Sequence, residues 1–493
     1  MSEKPLGGRP AEVLEKIWRE LCQTYLPLVA EDPTWRFSRG LHPDDAEQGW
    51  KIHISATVLT ANIVLQRVAP FLRRHGTLFK GPSTLTELSK LNSGIYYGYS
   101  QVGKAITVYP RNSLEAVCMA YQLHELTCDL PALTVPFDRQ YLPGSSVYYR
   151  YGAFNPLEIE HPDGSKTPAI RTPEGDLIPD SRESWDQALI WIQDPFLHTR
   201  PPQKIEPLES PLKTTYRAFR ALTQRGKGGV YQAIDLSVKP PRLCILKEGR
   251  RHGETSPDGR DGHWGVKNEG QILSHPELAA IGAPLVYSAF EVDGNYYLAM
   301  EFIEGESFQS MLAKRQRRLT LPRTLKFGIQ IAEMISRLHT FGWAWRDCKP
   351  SNLIVTRSGR LRPVDFEGSC LIAQPDSLPW RTPDFSPPRP HLDYVGYKPG
   401  VDDDLYAVGA VLYFMLNGQA PKQSPIPTIK LQRNLPGAIT ELLSELLSPA
   451  PHQRLNAEMV AGKLKIALAD ISVRGITSRR EVGAPEKIGK SRV

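Results

Sequence analysis

Two sets of residues have the types and spacing to handle phosphate. The run Trp50–Ser55 reads WKIHIS, and alternation along a strand puts Lys51, His53 and Ser55 on one face, Ile52 and Ile54 on the other. One face is apolar and packs; the other offers a cation, a titratable imidazole and a hydroxyl. A single strand of this kind is more often a solvated edge than a site. The pattern recurs, however: HGTLFKG carries Lys80, GKAITVYP carries Lys104, Thr107 and Tyr109, and SSVYYRYG carries Tyr149, Arg150 and Tyr151. Short strands that each bring a basic or phenolic group suit convergence on an anion. The second set lies downstream. RGKGG sets Gly226, Gly228 and Gly229 where a strand pair would turn, and a backbone approaching phosphate oxygens has no room for a Cβ. CILKEG places Lys247 in an apolar strand, where a buried ammonium needs an anionic partner, and Glu269 is available in VKNEGQILSHP. Glycine turns and strand-end lysines are common, so neither feature persuades alone.

These groups must be positioned by elements of two different kinds of chain. The proline-rich stretch Asp194–Pro211 can hold neither a long helix nor a central strand and divides the sequence. Upstream, Leu14, Ile17, Trp18 and Leu21 repeat at helical spacing, as do Leu114, Val117, Cys118 and Tyr121. His124 falls among the apolar positions of that second helix and reads as a core residue. The strand candidates are Trp50–Ser55, Thr77–Lys80, Ala105–Tyr109 and Val147–Tyr151. Residues 1–205 are therefore expected to form an α+β domain. Glu248–Gly265 reads as an exposed, charged loop, Ser377–Pro399 as an irregular proline-dense region, and 474–493 as a basic tail without periodicity.

Composition narrows the classes. The 493 residues are too many for one core and suggest two or three domains. Sixty Lys and Arg against 53 Asp and Glu give a net charge of +7, too mild for a protein that coats nucleic acid. No apolar run reaches the roughly 18 residues that a membrane span needs, and the N-terminus has no signal-peptide core, so no membrane association is expected. Cysteines 22, 118, 128, 244, 348 and 370 are scattered, without a Cys-x-x-Cys pair. That pattern fits reduced thiols in the cytoplasm and gives no reason to expect zinc.

Order and spacing then assign the downstream half. After a hinge-like strand, YYLAMEFIEG, comes LHTFGWAWRDCKPSNLIVT, which matches the catalytic loop of protein kinases: Arg-Asp, Lys two later, Asn five after the Asp. By that resemblance Asp347 accepts the substrate hydroxyl's proton, Lys349 steadies the transferring group, and Asn352 and Asp365 (in RPVDFEG) hold Mg²⁺. Gly226, Gly228, Gly229, Lys247 and Glu269 become the nucleotide-binding set, with ATP or another NTP as co-substrate. TPDFSPP resembles a substrate-positioning segment, Asp404 a brace for the catalytic loop, and Arg454 in PHQRL a structural arginine. The fold implied is bilobal, with a smaller lobe over 206–303 and a larger one over 304–473. Two positions depart from the pattern. Trp345 replaces the usual histidine before Arg-Asp, and Glu367 the glycine of Asp-Phe-Gly. Both touch elements used in switching, which puts activation-loop control in doubt.

The upstream half resembles a second known domain. GWKIHISAT, the Phe79-Lys80 pair, GKAITVYP and SSVYYRYGAF look like the N-terminal lyase domain of class III lanthipeptide synthetases, and ILKEGRRHGETSPDGRDG looks like the lysine strand and following loop of their kinases. The Lys-x-His strand also resembles the site of bacterial phosphothreonine lyases. The likeness covers residues 30–470 in the family's order, lyase then kinase. It implies a phosphothreonine-lyase-like α+β domain and a chain that phosphorylates Ser and Thr of a ribosomally made precursor peptide, then eliminates phosphate to leave dehydroalanine or dehydrobutyrine. Lys80 is then the base for the Cα proton and His53 the acid for the departing oxygen. Lys51 and Arg150 bind phosphate, with Lys104 and Tyr149 as further candidates. The charged 248–265 loop and the Glu269 helix are the surface assigned to the peptide's leader segment.

Members of that family continue into a cyclase domain, for which this sequence leaves no room after the kinase-like region. Ring closure is therefore expected from a separate cyclase or tailoring enzyme, or the chain is a truncated one. Two other readings stay open. A signalling kinase with an N-terminal sensor domain would use the same kinase residues but need no convergence of Lys51, His53 and Lys80. A pseudokinase scaffold would need neither chemistry.

Overall fold

The structure is a computed structural model and describes residues 11–155, 157–180, 191–197, 210–315, 319–376, 380, 382–388, 398, 400–421, 435–448 and 455–481. Arg454 lies outside these residues. The chain mixes helix and sheet, as expected, and forms two compact units: residues 1–267 with 288–299, and residues 268–287 with 300–493.

The first unit begins with α1 (Ala11–Tyr25), β1 (Leu28–Val29), β2 (Trp35–Phe37), β3 (Gln48–Ile54), α2 (Ala61–Arg74), β4 (Leu78–Pro82), α3 (Leu85–Ser93), β5 (Ile106–Tyr109), α4 (Ser113–Thr127), β6 (Arg139–Gln140) and β7 (Val147–Ala153). Local chemistry sets several of these ends. The Thr84 hydroxyl accepts the Glu87 N–H at 3.0 Å to open α3, and the Asn112 carboxamide accepts the Glu115 N–H at 2.9 Å to open α4. The seven strands pair antiparallel in the order β1-β2-β4-β5-β3-β7-β6. One face, carrying Ile52, Ile54, Phe79, Val108, Val147 and Tyr149, packs on the buried sides of α1, α2 and α4. At about 25 cal/mol per Å² of apolar surface, that cluster supplies the main driving force for this fold. His124 is only half-buried; its Nδ1 lies 2.9 Å from Ser145 Oγ.

A smaller antiparallel sheet follows, β8 (Glu158–Glu160), β9 (Lys166–Arg171) and β10 (Leu177–Pro179), in the order β10-β9-β8. Beyond the proline-rich stretch come β11 (Tyr216–Arg225), β12 (Gly228–Asp235), β13 (Arg242–Gly249), β14 (Val286–Val292) and β15 (Asn295–Glu301), ordered β11-β12-β13-β15-β14. The expected charged loop after Lys247 is partly knit into the structure. Glu248 is buried and pairs with Arg250 at 3.0 Å, and Gly262–Leu273 is helical.

In the second unit, helices Leu321–Thr340, Val401–Asn417, Gly437–Leu446 and Ala457–Glu481 pack on one another, and the short hairpin Leu353–Thr356/Leu361–Pro363 lies against Leu321–Thr340. The last helix runs on past Arg474 instead of giving way to an irregular tail there, because VRGITSRRE contains no proline to stop it. No described helix is long and apolar enough to cross a membrane.

Candidate active sites

Strand register decides which predicted residues share a face. Opposite residues of an antiparallel pair point the same way. His53 opposes Thr107, Thr107 opposes Lys80, and Lys80 opposes Phe37, giving one row across four strands. On the other side of β3, His53 opposes Tyr148 and Lys51 opposes Arg150. Lys51, His53, Lys80 and Arg150 therefore lie on the face away from the helices, with His53 and Lys80 two strands, about 10 Å, apart in backbone. Tyr149 is on the opposite face. It is fully buried, stacks on Phe196 at 3.8 Å between ring centroids, and donates its hydroxyl to Asp194 at 3.1 Å. The structure thus does not bring Tyr149 together with the cationic row.

The sequence analysis missed Asp138. Its carboxylate is fully buried and joins two of the predicted residues: Oδ2 lies 2.5 Å from His53 Nδ1, and Oδ1 lies 3.0 Å from Lys104 Nζ. Burial alone would raise this carboxyl, but the Lys104 charge and then His53 hold it below the usual carboxylate range. An ionised Asp138 assigns the proton of the neutral ring to Nδ1. Burial is the largest influence on His53 itself and, with Lys104 and Lys51 adding to it against Asp138, lowers the imidazole to about 3. Phe137, just before Asp138, has a left-handed φ of 63°, a cost that the surrounding packing must offset. The only trace of Asp138 in the sequence is one acid in a turn-like segment, VPFDRQ, with no periodicity around it.

Two other members are also engaged. Arg150 pairs with Asp180 at 2.5 Å. Lys80 is half-buried on β4, with its ammonium 4.0 Å from the centroid of the Trp35 ring and 5.8 Å from that of Phe37. Such ring faces attract a cation and fix where the side chain points.

The second constellation lies in the 300–493 unit. Asp404, the fourth residue of the Val401–Asn417 helix, accepts the backbone N–H of Trp345 at 2.9 Å and of Arg346 at 2.6 Å, and His339 Nε2 lies 2.9 Å from it. That holds the loop in which Arg346 takes a left-handed φ of 66°. Within the loop, Lys349 Nζ donates to both Asp347 oxygens (2.9 and 2.8 Å), and Asn352 Nδ2 donates to Asp347 Oδ2 at 2.8 Å. Thr382, the first residue of TPDFSPP, donates its hydroxyl to Asp347 at 2.7 Å and accepts from Lys349 at 3.0 Å. Burial raises the Asp347 carboxyl; Lys349 opposes the rise and the Asp365 charge adds to it.

Asp365, also left-handed at 68°, lies beside two further acids. Ligand oxygens of Glu269, Asp365 and Glu367 all fall within 4.8 Å of one another. With the Asn352 amide nearby in sequence, these hard oxygen donors suit Mg²⁺ in type. Glu269 also accepts the Phe366 N–H at 2.9 Å.

Lys247 is buried on β13, opposite Val230 of β12. The β11–β12 turn carries the three glycines, and two of them have no alternative. A Cβ on Gly228 would lie 1.8 Å from Glu248 O, and one on Gly226 1.7 Å from Asn92 O. Gly226 also donates its N–H to Ser93 O at 3.0 Å, so this turn is tied to the end of α3. Asn92 in turn donates to Ala56 O at 3.0 Å and accepts the Gly103 N–H at 3.2 Å.

Comparison with known proteins agrees with both halves. Residues 28–207 match the family described as RamC, N-terminal domain, and residues 265–463 match the protein kinase domain. A probable SapB synthase of Streptomyces coelicolor is 29% identical over 343 residues, 67% of this chain and 36% of that protein. Serine/threonine-protein kinase PknA of Mycobacterium tuberculosis is 26% identical over 261 residues, 49% of this chain and 58% of its own length. Myotonin-protein kinase of Mus musculus is 33% identical over 146 residues, 28% of this chain and 23% of its own length. The chain spans little more than a third of the length of the synthase. These matches identify the chain as a RamC-type N-terminal domain joined to a protein kinase domain, the pairing of the class III lanthipeptide synthetase family.

Proposed function

We propose that the chain is a bifunctional dehydratase of a ribosomally made precursor peptide in the cytoplasm, phosphorylating Ser and Thr and then eliminating the phosphate. The observation that carries the reading is the shared face of Lys51, His53, Lys80 and Arg150, in a chain that also contains the Asp347–Lys349–Thr382 network. A sensor domain would have no use for that face.

In the kinase step Asp347 orients the substrate hydroxyl and takes its proton, while Lys349 offsets charge on the phosphoryl group passing from ATP. Asp365 and Asn352 would hold Mg²⁺, which neutralises phosphate charge when bound. Gly226, Gly228 and Gly229 let the backbone approach the nucleotide, and Lys247 and Glu269 complete that set.

In the elimination step Lys80, as the free amine, removes the Cα proton; the electron pair forms the Cα–Cβ double bond and the Cβ–O bond breaks. Lys51 and Arg150 bind the departing phosphate, with Lys104 supporting the site through Asp138. His53 is neutral in the free protein, and a phosphate dianion beside it favours the imidazolium, which can then protonate the leaving oxygen. Asp138 keeps the ring oriented through Nδ1, as second partners of catalytic histidines do.

The test is a Ser/Thr-rich precursor peptide with its leader, incubated with Mg²⁺, ATP and either the unmutated protein or Lys80→Ala. Two-step chemistry requires the mutant to stop at phosphopeptide, a gain of about 80 Da per site, and the unmutated protein to reach a loss of about 18 Da per site. If both stop at phosphopeptide, the N-terminal domain is not a lyase for that substrate, and the sensor-kinase reading takes its place.

A further inference from the structure

We propose that Trp345 and Asp376 are positioning residues that hold the phosphoryl-transfer machinery in its working arrangement without any phosphorylation of the chain. The proposal rests on the kinase reading above. Kinases that are switched by phosphorylation gain order when a new phosphate pairs with arginine, bringing the metal-binding aspartate and catalytic loop into place. Here the arginine next to the catalytic aspartate already has carboxylates around it. Arg346 is buried; its Nη1 lies 3.5 Å from Asp376 Oδ2 and donates to Gly368 O at 3.5 Å, and its Nε lies 3.9 Å from Asp403 Oδ2. Asp376 is a permanent anion where a switchable kinase would need an added one.

The two departures from the kinase pattern act in the same direction. Trp345 is fully buried, and its ring stacks on Phe366 at 5.5 Å with 22° between planes. Its indole Nε1–H donates to Asp365 O at 2.9 Å. Phe366 is therefore packed against the indole while its N–H is held by Glu269, and the Asp365 carbonyl between them is hydrogen-bonded too. Glu367 replaces a residue without a side chain by one that is buried, and its carbonyl accepts from Asn268 at 3.1 Å. A glycine there would leave the segment free to change φ; glutamate does not. Stack, indole hydrogen bond, Asp376 and loss of glycine each oppose a swing of Asp365 away from Asp347.

The experiment uses the full chain after phosphatase treatment, with intact mass confirming that no phosphate remains. ADP binding is measured by calorimetry with and without Mg²⁺, which reads the placement of Asp365 independently of any peptide. The unphosphorylated protein should bind ADP more tightly with Mg²⁺, and preincubation with Mg·ATP should not tighten it further. Asp376→Asn should lose about five- to tenfold of the Mg²⁺-dependent gain, the worth of one charged contact, and Asp376→Glu should restore it. Trp345→Phe, which keeps a ring but loses the N–H, should show a similar loss; Asp376 is the safer site because its side chain is partly exposed. A Mg²⁺-dependent gain unchanged in Asp376→Asn, or one that develops only after autophosphorylation, would overturn the proposal and leave the kinase reading standing. Failure to bind ADP under either condition would remove the kinase reading and the proposal with it.

Discussion

The Asp138 carboxylate accepts a hydrogen bond from His53 Nδ1 at 2.5 Å, across 85 residues of sequence, inside the core-like part of a cationic face. The same carboxylate is the charge partner of Lys104. Replacing it by the neutral amide, Asp138→Asn, removes the negative charge that faces the buried Lys104 ammonium and the His53 ring. Stability should fall by about 3 kcal/mol or more. Elimination should slow on the order of 100-fold, the scale of one general acid. Urea midpoints and phosphopeptide turnover read the two effects separately; ordinary values for both would disprove the role of Asp138.

Acid should destabilise the N-terminal domain early. His53 titrates near 6.5 when unfolded but at about 3 in the fold. Between those values the unfolded chain binds a proton that the native one does not, so stability is complete above pH 6.5 and declines as pH falls toward 3. The slope is about 1.4 kcal/mol per pH unit for this group. His53→Gln removes the titrating group, and its urea midpoint should fall less between pH 6.5 and 5 than that of the unmutated protein. Parallel curves would show that His53 is not the source.

Thr382 should matter to phosphorylation through its hydroxyl alone. It bridges Asp347 and Lys349, at 2.7 and 3.0 Å. Thr382→Val keeps the shape and should cost about tenfold in phosphorylation rate, the equivalent of one buried hydrogen bond, whereas Thr382→Ser should stay close to normal. Equal rates for the two variants would separate this hydroxyl from the chemistry.

Tyr149 and Arg150, adjacent on β7, should part company. Tyr149→Phe loses the hydroxyl bond to Asp194 but keeps its stack on Phe196, so it should cost about 1 kcal/mol in stability and leave elimination within about twofold. Arg150→Ala should weaken handling of phosphopeptide, seen as a raised KM. Slow elimination by Tyr149→Phe would mean that the strand presents its other face.

What the sequence revealed followed from how local each signal is. The Asp347–Asn352 loop and Asp365 occupy fixed offsets, because their chemistry needs them within one turn and one hairpin, and Lys51 and His53 share a face simply by being two apart. The same alternation, carried onto β7, separates Tyr149 from Arg150; grouping both as phosphate ligands overlooked it. Asp138 could not be found that way. It lies in a turn-like loop, and only the folding of β5 and β6 around β3 and β7 brings it to His53 and Lys104. Thr382 opens TPDFSPP, a segment the kinase resemblance did mark, but its bond to Asp347, 35 residues away, is not written in that pattern. The extension of the last helix beyond Arg474 shows the opposite limit: charge and polarity suggested a tail, yet nothing there forbids a helix.

The contact between Gly226 and the end of α3 has a consequence for modular exchange. The division suggested by the proline-rich stretch invites treating the two halves as interchangeable cassettes. Yet the glycine turn of one rests on Asn92 and Ser93 of the other at a distance that admits no side chain, and Asn92 is fastened to the backbone just after β3 and just before β5. A chimera that grafts a foreign N-terminal domain must therefore reproduce the backbone path at 92–93 as well as the linker. One that does not would leave the glycine turn without its footing, however intact the rest of each transplanted half was.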